Sequence, residues 1–290
     1  MKKIIIFVFL ILIGCNEKPE KKENIFVSIL PQKFFVEKIA GYDFNLNVMV
    51  RPGMSPATYD PLPNQLIELS KASIYFTIGV PFEKVLLKKI RLNFEDVRLI
   101  DTRNGIKLRM IESHTGGHSY ENKNINNDPH IWLSPELVKI QVKNILSGLI
   151  EINSYRQDFY EKNYNIFINE LDSLQSEIKG ILSNARSNKF LVYHPSFGYF
   201  CDEFRLKQIP IELEGKEPTG KDIAEIIDVI EKEDINLLFV QKQFTSKLSE
   251  KISNLTGIKI VEVDPLSEDY YNNLTTIAKT IAENIDESTD

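Results

Sequence analysis

The chain has 290 residues, of which 42% are hydrophobic and 26% are charged, a composition typical of globular rather than disordered proteins. This length is enough for two ordinary domains, each with its own core. The formal net charge of −6 argues against a nucleic-acid-binding protein, because phosphate contacts require a basic face.

The N-terminus has the pattern of an export signal. Residues 1–3 are a short basic segment, and the apolar run over 4–13 is too short to span a bilayer but typical of a signal peptide. Leu-Ile-Gly-Cys ending at Cys15 then matches the bacterial lipobox. We therefore predict a signal peptide over 1–15, a flexible tether over 16–24 and an exported protein held to a bacterial membrane by lipid on Cys15. A short anchor that is never cleaved is the alternative.

Beyond the tether, apolar runs of strand length alternate with helical patterns of about ten residues. This alternation is typical of βαβ units and predicts parallel sheets. It occurs in two stretches, so we predict an α/β fold with an N-terminal lobe over 25–153 and a C-terminal lobe over 188–290, each a parallel sheet flanked by helices. The predicted strands are 25–30, 44–50, 74–78, 97–100, 189–193, 208–213, 236–240 and 258–263.

The segment between the two lobes has a different pattern. Apolar residues recur at alternating steps of four and three, which predicts one face of a single long helix over 154–187. One arm of a coiled coil is the alternative, but α/β lobes on both sides favour packing along the chain's own domains. The apolar positions are Tyr160, Tyr164, Phe167, Leu171, Leu174, Ile178 and Ile181.

His130 lies in a stiff corner between a polar loop and a helix. Pro129 restricts its own backbone and that of Asp128, and Ser134-Pro135 is a typical helix start. A fixed histidine beside a carboxylate is the usual arrangement of a metal ligand. The alternative is a loop histidine that only hydrogen-bonds a carbonyl group.

Other chemically active side chains follow predicted strands. His194 comes directly after the first strand of the second lobe, and Asp264 directly after the last one. Open α/β sheets bind ligands at the carboxyl ends of their strands. Two imidazoles and a carboxylate suit a divalent first-row metal, above all zinc.

These motifs occur together in a known family. The lipobox, P-G-x-x-P-x-T-Y-[ED]-P, D-P-H-x-W, H-x-x-F-G-Y-F, Glu217-Pro218 and D-P-L follow one another here, and the chain thereby resembles the metal-binding solute-binding lipoproteins of zinc and manganese ABC transporters. The resemblance implies a monomer that binds a divalent metal and passes it to a membrane permease. It implies metal ligation by His130, His194 and Asp264. A histidine rather than a glutamate at position 194 favours zinc over manganese.

The chain departs from the family pattern in its first loop. Ala57 stands where the family has a ligating histidine, and alanine cannot coordinate a metal. His114 and His118 lie in a shortened form of the family's polar loop before D-P-H. Either could supply a fourth ligand, or both could be solvated loop residues, with water completing the site.

Two other function classes stay open on the sequence. Three protein ligands and an open position also describe catalytic zinc, so a zinc-dependent hydrolase is one alternative, although no general base has a motif of its own. A homologue that binds manganese or another ligand, or that has lost metal binding, is the other.

Overall fold

The fold is known from a computed structural model that describes residues 22–112, 127–183, 185, 188–212, 218–244 and 247–284. The predicted signal peptide, the lipidation site Cys15, and His114 and His118 lie outside the described residues.

The first lobe contains a four-stranded parallel sheet. Its spatial order is β2-β1-β3-β4, and the register of every strand pair is parallel. The strands are β1 (Asn24–Val27), β2 (Asn45–Val48), β3 (Ala72–Thr77) and β4 (Arg98–Asp101), and the helices between them are α1 (Leu30–Ala40), α2 (Pro63–Leu69) and α3 (Glu83–Asn93).

The second lobe repeats this topology. Its sheet has the order β6-β5-β7-β8, again all parallel. The strands are β5 (Lys189–Val192), β6 (Lys207–Pro210), β7 (Leu237–Gln241) and β8 (Lys259–Val263), and the helices are α6 (Gly198–Phe204), α7 (Gly220–Glu233), α8 (Lys247–Thr256) and α9 (Tyr270–Asn284). The predicted fold class of two α/β lobes is therefore confirmed, while the exact domain boundaries stay a prediction.

Two helices in series join the sheets. α4 (Pro135–Ile152) begins as predicted, because the Ser134 hydroxyl accepts a hydrogen bond from the amide of Leu137. α5 (Gln157–Leu182) has 26 residues and so is about 39 Å long. Only one face of α5 is apolar. Nowhere in the described ranges is a helix long and apolar enough to cross a membrane.

The hydrophobic core is continuous across the two lobes, which differs from the expectation of one core per domain. Five side chains of α5 are buried, and they belong to a cluster that extends from β1 and β3 to Phe190 and Phe239 of the second sheet. The last helix closes this arrangement: Tyr270 packs on Phe35 with ring centroids 5.1 Å apart. The lobes therefore share their main core, and a smaller cluster fills only the outer part of the second lobe.

Candidate metal site

His130 is held by the aspartate two residues before it, as the D-P-H motif predicts. Oδ1 of Asp128 accepts a hydrogen bond from the backbone amide of His130 at 2.9 Å and lies 2.7 Å from Nδ1 of the same residue. Asp128 is completely buried and His130 is 8% exposed. The imidazole therefore has a fixed orientation, with Nδ1 directed at the carboxylate.

The protonation of His130 suits a metal ligand. Burial lowers the pKa of His130 below its usual value of 6.5, although the carboxylate of Asp128 acts in the opposite direction. A histidine must be neutral to bind a metal. The lowered pKa therefore favours the neutral ring that a metal requires.

His194 follows β5 and is held from three sides. Its backbone amide donates to Oε1 of Gln241 at 3.1 Å, and the Gln241 side-chain amide donates to the His194 carbonyl at 2.6 Å. The ring stacks on Phe244 with centroids 5.2 Å apart. Nδ1 lies 3.0 Å from Oε2 of Glu212.

The two imidazoles meet between the lobes. Their ring centroids are 5.2 Å apart and the ring planes are inclined by 71°. Each Nδ1 is engaged by a carboxylate, Asp128 for His130 and Glu212 for His194. A carboxylate on one ring nitrogen fixes the tautomer and leaves the other nitrogen, Nε2, to a metal.

Glu212 is a residue of the candidate site that the sequence analysis did not single out. Its side chain is 8% exposed, and its backbone amide donates to the carbonyl of Tyr193 at 2.9 Å. This hydrogen bond continues the pairing of β6 with β5 and places Glu212 beside His194. The available signal was a charged residue near the end of the predicted strand over 208–213, at the same sheet edge as His194.

Asp264 is placed near the site but its carboxylate has other partners. Oδ1 of Asp264 accepts hydrogen bonds from the Gln243 side chain at 2.9 Å and the Leu266 amide at 3.0 Å. The segment itself is tied to the His130 corner, because the Trp132 indole donates to the carbonyl of Pro265 at 2.7 Å. Within the described part of the chain, no three His, Cys, Asp or Glu side chains form a group that could hold a metal. Ligation by His130, His194 and Asp264 together therefore stays a prediction.

Ala57 is exposed and lines a cavity of about 270 Å³ next to α3, together with Tyr59, Phe82 and Leu86. Neither imidazole is among the residues that line this cavity. The first loop thus contributes no ligand at position 57, as its alanine requires.

Comparisons with known proteins show the family of the chain. The family model described as "Zinc-uptake complex component A periplasmic" matches residues 25–284. A "Putative metal-binding protein" of Chlamydia muridarum is 27% identical over 281 residues, which cover 97% of this chain and 98% of that protein.

Solved structures match over nearly the same length. A crystal structure of ZnuA is 37% identical, covers 91% of this chain and 99% of its own, and superposes with a TM-score of 0.84. A ZnuA variant that lacks residues 138–173 and contains bound zinc is 36% identical, with coverages of 92% and 100% and a TM-score of 0.85.

Proposed function

Because the chain belongs to the family of the periplasmic component A of zinc-uptake complexes, we propose that it captures a zinc ion outside the cytoplasm and delivers it to the permease of an ABC transporter. The protein is a solute-binding component of a transporter and not an enzyme. The observation that carries the proposal is the pair of facing imidazoles, one from each lobe, with each Nδ1 held by a buried carboxylate.

We assign the first two zinc ligands to Nε2 of His130 and Nε2 of His194. Asp264 is the proposed third ligand, since its segment is joined to the His130 corner through Trp132 and Pro265. A small shift of its side chain from Gln243 is then part of binding. His114, His118 or a water molecule completes a four-coordinate site, the number that zinc prefers.

The donor set supports zinc over manganese. Imidazole nitrogens suit zinc, whereas manganese favours carboxylate, carbonyl and water oxygens. A manganese carrier would gain from an oxygen ligand at position 194, where this chain has a histidine. Manganese is therefore the second candidate.

The membrane anchor is a separate part of the proposal. The lipobox that ends at Cys15 supports export, cleavage before that cysteine and lipid attachment to it. The other cysteine, Cys201, is free and buried, so it offers no competing attachment site. We propose that the protein acts as a monomer on the outer side of a bacterial membrane.

Zinc affinity of single-residue variants tests the site. We expect His130→Ala and His194→Ala each to weaken zinc binding by more than about a hundredfold, because loss of even an outer partner of a metal ligand costs about 10–100-fold. The measurement is a competitive titration against a chromogenic chelator at pH 7.5. Asn163→Ala, which removes a polar side chain of α5 that donates to the carbonyl of Ile39, is the matched control.

Two outcomes would contradict the proposal. Equal affinities of the wild type and both histidine variants would mean that the imidazoles do not bind the metal. Purified protein without metal, and without a thermal shift on adding zinc or manganese, would favour a homologue that has lost metal binding.

A further inference from the structure

A single arginine outside all the sequence motifs connects the site to both lobes. Arg109 contacts three carboxylates: Nη2 donates to Glu112 at 2.6 Å, Nε lies 3.2 Å from Asp202, and Nη1 lies 3.7 Å from Oδ2 of Asp128. Asp202 belongs to α6 of the second lobe, whereas Asp128 precedes His130. The guanidinium thus bridges the lobes next to the first proposed zinc ligand.

Asp128 requires such a partner. Its Oδ1 already receives the amide and faces Nδ1 of His130, while Oδ2 is buried and has no hydrogen-bond partner among the described residues. Nη1 of Arg109 is also buried and has no hydrogen-bond partner among the described residues. The two atoms face each other as an ion pair. A buried carboxylate is costly unless a cation compensates it, and Arg109 is in place to do so.

The H-x-x-F-G-Y-F motif of the second lobe is shaped around this contact. A Cβ atom on Gly198 would lie 1.5 Å from Nη1 of Arg109 and 2.6 Å from Oδ2 of Asp128, so only glycine leaves room for the pair. The hydroxyl of Tyr199 donates to the Asp128 carbonyl at 3.0 Å and accepts from the Arg109 amide at 3.0 Å. Two residues of the motif that carries His194 therefore support the partner of His130.

We propose that Arg109 is a positioning residue for zinc: it fixes the carboxylate of Asp128, which in turn keeps the proton of His130 on Nδ1 and presents Nε2 to the metal. The inference rests on the proposed metal site and adds to it a residue that does not touch the ion. Through Asp202 and the Gly198–Tyr199 pair, Arg109 also sets the position of α6 relative to His130, and α6 begins four residues after His194.

The test compares two arginines that each pair with an aspartate. We expect Arg109→Gln to weaken zinc binding about 10–100-fold and Arg109→Lys to recover part of the loss, because an ammonium keeps the charge but not the planar fork. Arg103→Gln is the control: Arg103 forms a two-point pair with Asp101 in the same lobe. It should keep wild-type affinity in the chelator titration. Wild-type affinity in Arg109→Gln, or an equal loss in Arg103→Gln, overturns the inference.

A spectroscopic measurement separates positioning from general loss of structure. The ¹⁵N shifts of the His130 ring in the zinc-free protein should show the proton on Nδ1 in the wild type and a mixture of tautomers in Arg109→Gln. Unchanged shifts overturn the role assigned to Arg109.

A second variant decides the question if Arg109→Gln does not fold. Gly198→Ala keeps every charge but displaces the guanidinium and Oδ2 of Asp128, and we expect it also to weaken zinc binding. Unchanged affinity in Gly198→Ala would then overturn the inference. If instead His130→Ala and His194→Ala bind zinc as the wild type does, the metal site itself is wrong.

Discussion

The carboxylate of Glu212 lies 3.0 Å from Nδ1 of His194, and Asp128 has the same relation to His130. Glu212 thus orients a proposed ligand, while Asp264 is proposed to bind the ion directly. Substitution of the two residues should reduce zinc affinity by different amounts. Loss of an outer partner of a metal ligand costs about 10–100-fold in affinity, and loss of a direct ligand costs more.

We therefore expect Glu212→Gln to weaken zinc binding about tenfold, since glutamine still accepts a hydrogen bond from Nδ1 but lacks the negative charge. Asp264→Asn makes the same change at the proposed ligand and should cost more. Parallel chelator titrations measure both. A larger loss in Glu212→Gln than in Asp264→Asn would reverse the two assignments.

The sequence predicted the contact between residues that are close together in the chain, and it missed the contacts between distant segments. The contact of Asp128 with His130 spans two residues and follows from the stiff D-P-H corner. The contact of Glu212 with His194 depends on the pairing of β6 beside β5, which the sequence leaves undetermined. Arg109 is further removed still, because its partners come from three separate segments.

At the scale of elements, a buried polar group around Glu83 joins β1, β3 and α3 at the carboxyl end of the first sheet. Glu83, at the start of α3, accepts hydrogen bonds from the amides of Ile78 at 2.9 Å and Gly79 at 2.7 Å, after β3. It also accepts from the hydroxyl of Ser28, after β1, which lies 2.6 Å from the hydroxyl of Tyr75. Burial outweighs these hydrogen bonds and raises the pKa of Glu83 from 4.5 to about 7.

The raised pKa makes stability depend on pH in a defined direction. A carboxyl group with a higher pKa in the folded state stabilises the fold below its unfolded pKa, and this contribution is lost as the pH rises through the folded value. Relative to Glu83→Gln, which cannot titrate, the wild type should lose on the order of 3 kcal/mol of unfolding free energy between pH 4 and pH 8. Urea denaturation in chelator measures the difference, and a constant difference over this range would contradict the assignment.

The elements themselves were largely predictable. Hydrophobic periodicity and the apolar runs are local signals, so α5 and the alternating strands and helices could be predicted from them. β6 was predicted over 208–213 but ends at Pro210. It is an edge strand with β5 as its partner, and an apolar run cannot show where an edge strand leaves the sheet.

At the scale of the whole molecule, one continuous hydrophobic core connects the two lobes. The two sheets are separate, yet α5 and α9 join them through buried aromatic and aliphatic side chains. An apolar pattern predicts that a face is buried but not which lobe covers it. The second lobe also has a smaller cluster of its own, so the expectation of one core per lobe is met only in part.

The proposed membrane attachment concerns the whole protein and depends on one cysteine, Cys15. We expect Cys15→Ser to abolish lipid attachment and to release the protein from the membrane fraction, since stable anchoring requires more than one acyl chain. Cys201→Ala is the control, because Cys201 is 2% exposed and should leave fractionation unchanged. Mass spectrometry of the mature N-terminus checks the lipid, and normal membrane fractionation of Cys15→Ser would contradict the anchor.

The position of the two imidazoles on opposite lobes has a further consequence. An ion bound to both His130 and His194 closes the chain between them, including the whole of α5, into a ring. In a protein whose described cysteine is free, the bound ion would add its binding free energy to the free energy of unfolding, because it binds the folded protein. The ring is thus a reversible link between the lobes. Unlike a disulfide, it opens whenever the cargo leaves. Release of the ion would therefore also lower the free energy of unfolding, and the metal-free protein would unfold more easily than the metal-bound one.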